Sequence, residues 1–197
     1  GQPRLLVTGQ ASPHTYSMKP SDAQAVNAAQ VFFRVSESIE PFTAKLVKSL
    51  PRSVRVVSLG SVAGVVALPV RAGGSFEKEA HGAKGDAHEH GSQKVAADGH
   101  VWLDPANARA MVGTIEKVLA EKAPDKAAAF AANAKAVVAG IDALDRELDS
   151  RLAPLKAKPF VVFHDAYQYF ERRYGLSAVG SITVSPDAQP SARRLTE

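Results

Sequence analysis

Apolar residues along this chain alternate between two spacings. Short stretches rich in apolar residues, typical of buried strands, occur at 4–7 (RLLV), 31–35 (VFFRV) and 55–59 (RVVSL). Apolar residues at steps of three and four, typical of one helix face, occur at Ile39, Phe42, Leu46 and Leu50. Strands that alternate with helices through short connections form parallel sheets. The predicted fold class is therefore α/β.

Capping patterns place the helices. Ser21 and Gln24 have the spacing of a capping box, which predicts a helix that begins near Asp22. The pair Asp104-Pro105 predicts a turn into another helix, with three residues facing inward: Met111, Ile115 and Leu119.

A long helix is predicted after Pro124, capped by Asp125 and ending before Pro154. Its apolar residues follow a 3/4 rhythm: Phe130, Val137, Val138, Ile141, Leu144, Leu148 and Leu152. At about 28 residues it would be roughly 40 Å long, more than a small lobe needs. We therefore expect it to link two lobes.

A second β/α unit follows this helix. The stretch "KPFVVFHDAYQYFERRYGL" predicts a strand, a polar turn and a helix that buries Tyr167, Phe170 and Tyr174, and "AVGSITV" predicts another strand. A further helix would start in "QPSARRLTE". The predicted division is an N-terminal lobe at 1–124, a linking helix at 125–153 and the beginning of a C-terminal lobe at 154–197.

Periodicity disappears between 71 and 99, where glycines and charges recur, as in a mobile loop. Loops longer than about 12–15 residues are uncommon in compact domains and tend to be functional or disordered. Three histidines, at His81, His88 and His90, fall within it. Ordering such a loop around a metal costs entropy, so they are weak auxiliary ligands at best, and a solvated linker is an equal alternative.

Composition narrows the function classes. The chain has no cysteine, so any metal would be held by nitrogen or oxygen ligands. The net charge of +4 is scattered, which argues against a nucleic-acid partner. No uninterrupted apolar run approaches the roughly 20 residues of a membrane span, so we expect no membrane insertion. No signal peptide stands at residue 1, and both ends look cut, so a fragment of a longer protein is expected.

Three further histidines lie beside predicted ordered elements. His14 follows the first apolar run, His100 lies where the loop ends in "HVWLDP", and His164 follows "FVVF". Ligands of α/β proteins collect at the carboxyl ends of the strands, where His14 and His164 are expected. Taken singly, each histidine is more often structural. Asp165 after His164 could also cap the next helix.

Sequence motifs for catalysis are absent. The chain has no G-x-S-x-G elbow, no P-loop and no G-x-G-x-x-G, and "HEHG" at 88–91 does not have metalloprotease spacing. No catalytic residue is therefore predicted.

Three separated motifs resemble the periplasmic zinc-binding subunits of bacterial ABC uptake transporters. They are "ASPHTYSMKPSDAQAVNAAQVFFRV", "DGHVWLDPANA" and "KPFVVFHDAYQYFERRYGL". They occur in the family's order, with a histidine-containing loop between the first two and a long helix between the last two. The resemblance covers essentially the whole chain.

The resemblance implies two Rossmann-like α/β lobes joined by a rigid helix, the second lobe incomplete here, with Zn²⁺ held in the cleft by His14, His100 and His164. It also implies a periplasmic binding protein that delivers zinc to an ABC permease and is not an enzyme. Manganese-binding relatives have glutamate at the position of His164, and imidazole suits zinc better than manganese.

Some alternatives stay open. A position where some members of the family use glutamate is Pro13 here, so the fourth ligand would be water or an acid from the part of the second lobe that family members possess and this chain lacks. Three histidines with an open position also describe a catalytic zinc, which leaves a zinc hydrolase or hydratase as the rival function. Binding of manganese or another divalent ion, and a structural or adhesion module without metal, are the remaining alternatives.

Overall fold

Two pairs of parallel strands form the framework of the fold. The computed structural model describes residues 3–9, 11–71, 76 and 96–183. Strands β1 (Val31–Arg34) and β2 (Arg55–Ser58) pair along their whole length. Strands β3 (Phe160–His164) and β4 (Ala178–Thr183) pair with a register shift between Phe160 and Val161. Their parallel direction confirms the predicted α/β class.

A helix connects the strands of each pair. Helix α2 (Thr43–Ser49) lies between β1 and β2, and helix α5 (Gln168–Tyr174) lies between β3 and β4. Since parallel strands need a crossover connection, each unit is a β-α-β arrangement whose strands end on the same side. His164 is the last residue of β3 and therefore lies at that carboxyl edge.

The first part of the chain differs from the prediction. Residues 4–7 do not form a strand: Leu5 is exposed, and Leu6 packs against the cluster of Val26, Phe32, Leu46 and Val54. Three apolar residues are too few for periodicity to separate a strand from an irregular segment with one buried side chain.

Helix α1 (Pro20–Asn27) begins two residues before the predicted start at Asp22. The carboxylate of Asp22 accepts a hydrogen bond from the backbone N–H of Lys19 at 3.4 Å. Asp22 therefore supplies the capping contact that was predicted for Ser21 and Gln24, because its shorter acidic side chain lies in the first turn.

Helix α3 (Pro105–Lys122) begins as predicted, with the Asp104 side chain accepting from the backbone N–H of Ala106 at 2.8 Å. Met111 is buried against β2, but Val118 is the buried residue of the later turns and Leu119 is only partly buried. A helix buries a broad face, and sequence periodicity does not decide which of two consecutive apolar residues lies nearer the middle of that face.

Helix α4 (Ala127–Leu152) has 26 residues and packs along α3. Asp125 does not cap it, because Pro124–Lys126 form a 3-10 turn and Lys126 takes the cap position. Asp145 is the buried residue of the helix, whereas Val137 and Leu144 are about half exposed. The 3/4 rhythm was thus a correct sign of the helix and a poor guide to its burial.

By length and composition alone, the stretch Pro124–Leu155 could cross a membrane, since its most apolar 18 residues have a mean hydropathy of 1.4. The sequence analysis found no uninterrupted apolar run of this length, because Asn133, Lys135 and Asp142 interrupt the stretch. The mean hydropathy is nevertheless high, because alanines surround these polar residues. Such agreement is weak evidence for a span, and Asp142 pairs with Arg109 of α3 at 2.8 Å. The absence of membrane insertion stays a prediction.

The last described unit contains β3, α5 and β4. Val162 is buried, but Val161 and Phe163 on the opposite face are more than half exposed. Tyr167 is also exposed, contrary to the prediction, because α5 begins one residue later and buries Tyr169 and Tyr174. The helix expected in "QPSARRLTE" lies outside the described residues, and the lobe boundaries at 124 and 153 stay predictions.

Candidate metal centre

Three histidines from distant parts of the chain lie together. His14 comes from the turn before α1, His100 from the start of the 3-10 turn Val101–Leu103, and His164 from the end of β3. Each offers one ring nitrogen, and these atoms lie within 4.8 Å of one another. The ring centroids are 5.1 to 5.5 Å apart.

The separation of two of the rings is that of neighbouring ligands on a small ion. Nε2 of His100 lies 3.3 Å from Nε2 of His164. Two nitrogens bound to one tetrahedral zinc at about 2.0–2.1 Å would be about 3.3–3.4 Å apart. His100 is 8% exposed, so this part of the cluster is shielded from water.

Asp98 fixes the orientation of His100. One carboxylate oxygen, Oδ1, lies 2.7 Å from Nδ1 of His100 and also accepts the backbone N–H of His100 at 3.0 Å. Because a carboxylate accepts and does not donate, the ring proton is on Nδ1 and the lone pair is on Nε2, which faces His164. A carboxylate that holds a histidine in this way is the usual partner of a metal-binding imidazole.

The turn that carries His100 depends on its neighbours. A Cβ on Gly99 would lie 2.5 Å from side-chain atoms of Ile39 and Ser38, so a larger residue at position 99 would displace these side chains. Asn107 of α3 donates to the carbonyl oxygens of Val66 and Val101 at 3.0 Å each and accepts from the backbone N–H of Val66 at 2.8 Å. With 99% of its surface buried, Asn107 attaches the turn to α3.

His164 is held by the strand pair and by the turn after it. The Thr183 hydroxyl of β4 donates to the carbonyl of Phe163 at 3.0 Å, and the N–H of Ala166 donates to the carbonyl of His164 at 2.9 Å. Next to His164, the carboxylate of Asp165 accepts hydrogen bonds from Arg71. Asp165 therefore pairs with an arginine and does not cap α5.

His14 is half-buried in a turn built around Ser12. The Ser12 hydroxyl accepts the backbone N–H of His14 at 3.3 Å, and its carbonyl accepts the N–H of Thr15 at 3.4 Å. Tyr16, two residues on, donates to Asp22 of α1 at 2.6 Å. The turn that carries His14 is thus attached to the first turn of α1.

Chemically, the cluster is a set of imidazole nitrogens. Among the described residues, the group close enough to share one ion consists of these three histidines and includes no carboxylate. An all-imidazole set suits Zn²⁺ and other ions that favour nitrogen ligands. His81, His88 and His90 lie outside the described residues, so their predicted auxiliary role is untested.

Sequence reasoning missed the residues around the histidines. Asp98 could have been found from its position two residues before His100, in the same Asp-Gly-His turn. Arg71 and Tyr169 gave no such signal, because their partners are 71 to 101 positions away, and Asn107 reaches Val66 across 41 positions.

Comparison with known proteins places the chain in a family. The family described as "Zinc-uptake complex component A periplasmic" (ZnuA) matches residues 1–197. The chain is 44% identical to the high-affinity zinc uptake system protein ZnuA of Brucella abortus, with 100% of this chain and 65% of that protein covered. It thus spans just under two thirds of that relative.

Solved structures of zinc-uptake proteins also match this chain. A crystal structure of ZnuA matches with a TM-score of 0.74 at 28% identity, covering 97% of this chain and 65% of that one. The Zn(II)-bound AdcA of Streptococcus pneumoniae matches with a TM-score of 0.72 at 28% identity, covering 98% and 37%. The chain belongs to the ZnuA family of periplasmic zinc-uptake components.

Proposed function

We propose that this chain binds Zn²⁺ through His14, His100 and His164 in the periplasm and passes the ion to a membrane ABC permease. The observation that supports the site most strongly is the 3.3 Å between Nε2 of His100 and Nε2 of His164. Asp98 leaves the lone pair of His100 on the nitrogen that faces the partner ring. Both features are what a tetrahedral zinc needs from its ligands.

Membership of the ZnuA family supports zinc as the ion carried. The Brucella abortus relative is named for high-affinity zinc uptake, and the AdcA structure is described as Zn(II)-bound. The three-nitrogen ligand set agrees with that choice over manganese, which prefers carboxylate oxygen. The fourth position is taken by water or by an acid from outside this chain.

The rival function, a zinc hydrolase, has less support. Such an enzyme needs a group that accepts a proton from zinc-bound water, in addition to the open coordination position. The two carboxylates beside the histidines are already engaged, since Asp98 accepts from the ring of His100 and Asp165 accepts from Arg71. Uptake without catalysis is therefore the function that we propose.

Calorimetric zinc titration tests the ligand assignment. We expect His14→Ala, His100→Ala and His164→Ala each to weaken the tight site by about 100-fold or more, since losing a ligand costs more than the 10- to 100-fold of losing a ligand's support. The matched control removes the other three histidines together, as His81→Ala, His88→Ala and His90→Ala. This variant should keep the tight site within about threefold.

Two results would overturn the proposal. Loss of tight binding in the control variant, with the three single variants unchanged, would move the site to other histidines. Zinc-dependent turnover of an ester or of CO₂, lost in His164→Ala, would favour the hydrolase.

Delivery to a permease predicts that His164→Ala in the gene of the intact protein prevents growth under zinc limitation and that added zinc restores it.

A further inference from the structure

The two segments that flank residues 72–95 are joined to each other at their base. Pro69 and Ala97 form an antiparallel bridge. The N–H of Val70 donates to the carbonyl of Ala96 at 2.9 Å, and the N–H of Asp98 donates to the carbonyl of Leu68 at 2.8 Å. The pair 68–71 and 96–98, called the stem below, leads directly into His100.

One tyrosine of α5 binds both segments of the stem. The hydroxyl of Tyr169 donates to the carbonyl of Asp98 at 2.6 Å and accepts the N–H of Leu68 at 2.8 Å. Tyr169 is 2% exposed, and burial raises the pKa of its phenol. Asp98 in turn holds His100 through its carboxylate. The Tyr169 hydroxyl thus binds the backbone of Asp98, the residue whose carboxylate orients His100.

Arg71 of the stem binds two acidic residues that follow His164 in the chain. Arg71 donates to both oxygens of Glu171 at 2.8 and 2.9 Å and to Asp165, the residue after His164. These side chains are largely buried, at 21% exposed for Arg71, 12% for Asp165 and 6% for Glu171. Burial alone would lower the pKa of Arg71, but the hydrogen bonds with Glu171 and Asp165 raise it above its ordinary value.

Both contacts connect the segment of His100 with the unit of His164. The stem lies on the first unit, whereas Asp165, Tyr169 and Glu171 belong to the turn and helix that follow β3. Gln168 adds a third connection, donating to the carbonyl of Pro69 at 2.8 Å. None of these contacts involves an atom of His14, His100 or His164.

We propose that Arg71 and Tyr169 are positioning residues of the metal site, which together hold His100 and His164 at the separation that a tetrahedral ion requires before the ion arrives. This inference rests on the proposed function. A site that is already arranged avoids the cost of ordering its ligands on binding, so a loss of these contacts appears as a loss of affinity. Outer partners of metal ligands typically contribute 10- to 100-fold.

The two buried tyrosines of α5 provide a matched test. Tyr169→Phe removes only the hydroxyl that binds the stem. Tyr174→Phe removes a hydroxyl from the same helix, equally buried, that donates to Asp145 of α4 at 3.1 Å. We expect Tyr169→Phe to weaken zinc binding by about 10-fold or more, and Tyr174→Phe to change it by less than about threefold.

The two arginines allow the same comparison. Arg71→Lys keeps the charge but cannot bind two carboxylates in forked pairs, so it should weaken zinc binding, and Arg71→Met should weaken it further. Arg173→Met is the control, because Arg173 belongs to the same helix but forms its forked pair with Asp145 of α4. Urea unfolding of the metal-free variants shows whether the Arg71 and Arg173 variants lose similar free energy of unfolding, and likewise the Tyr169 and Tyr174 variants.

A spectroscopic measurement separates positioning from stability. Co²⁺ in place of zinc reports coordination geometry, and its absorption should change in Tyr169→Phe and Arg71→Lys but not in Tyr174→Phe or Arg173→Met. Unchanged zinc affinity and Co²⁺ spectra in the Tyr169 and Arg71 variants would overturn the inference, and so would equal losses in the controls. Failure of the unmodified chain to bind zinc would instead overturn the proposed function.

Discussion

Helix α5 makes two sets of contacts, one on the side of the histidines and one on the side of α4, which use the same chemistry for different purposes. On the side of the histidines, Arg71 pairs with Asp165 and Glu171, and the buried Tyr169 hydroxyl binds the stem. On the side of α4, Arg173 pairs with Asp145, which also accepts the buried Tyr174 hydroxyl. One arginine fork and one tyrosine hydroxyl thus act on each side, but only the first pair connects to residues adjacent to proposed ligands.

The difference teaches that burial and hydrogen bonding alone do not identify a functional group. Hydrogen bonds from Arg173 and Tyr174 lower the pKa of Asp145, although burial opposes that shift, and burial together with the bond to Asp145 raises the pKa of Tyr174 to about 12. A search for perturbed groups would therefore select the structural side as readily as the metal side. What distinguishes the two sets is the hydrogen-bond partner: Tyr169 binds the stem, whereas Tyr174 and Arg173 bind Asp145 of α4.

The largest effect is expected on the structural side. Asp145→Ala removes the acceptor of Arg173 and Tyr174 and leaves the buried Tyr174 hydroxyl without its bond, so we expect a loss of about 3 kcal/mol in the free energy of unfolding. Urea unfolding measures it. Zinc affinity should change by less than about threefold, and a loss as large as that of a ligand variant would show that the two sides of α5 are not separate.

A smaller effect is expected on the metal side. Asp98→Ala removes the acceptor of the His100 ring proton, so Nε2 is no longer fixed as the lone-pair nitrogen, and zinc affinity should fall by about 10- to 100-fold. Asp98→Asn keeps a neutral acceptor and should give an intermediate loss in the same calorimetric titration. An alanine variant with unchanged affinity would remove Asp98 from the site.

The smallest effect concerns acid stability. The pKa of Asp145 is lowered in the folded chain, so its contribution is present at neutral pH and is lost as pH falls through its folded-state pKa, below the ordinary value of about 3.9. Between pH 6 and pH 3, Asp145→Asn should therefore lose less unfolding free energy than the unmodified chain. The difference should stay below about 1 kcal/mol, because Arg173 is 40% exposed and Arg109 is the other facing cation. Equal losses would contradict it.

The alternation of strands and helices was predictable because hydrophobic periodicity records local structure. Strands β1, β2 and β4 and helix α3 were found from runs, steps and capping residues, while the run at 4–7 was too short to decide. Burial along α4 was not predictable, because it depends on which neighbours cover the helix. The histidines could be selected from their positions beside ordered elements.

The supports of the site were beyond sequence reasoning for a physical reason. The partner of Tyr169 at Leu68 is 101 positions away, and that of Arg71 at Glu171 is 100 positions away. No local pattern encodes such pairs, and a buried tyrosine or arginine has the same sequence appearance whichever side of a helix it serves. Three-dimensional coordinates were needed to separate Tyr169 from Tyr174.

Trp102 gives the site its own optical label. It is the one tryptophan of the chain, and its ring centroid lies 5.5 Å from that of His100. With 37% of its surface exposed, the indole senses both solvent and the neighbouring imidazole. Tryptophan emission from this protein therefore originates beside the candidate metal centre, and changes in His100 can be followed in solution without attaching a dye.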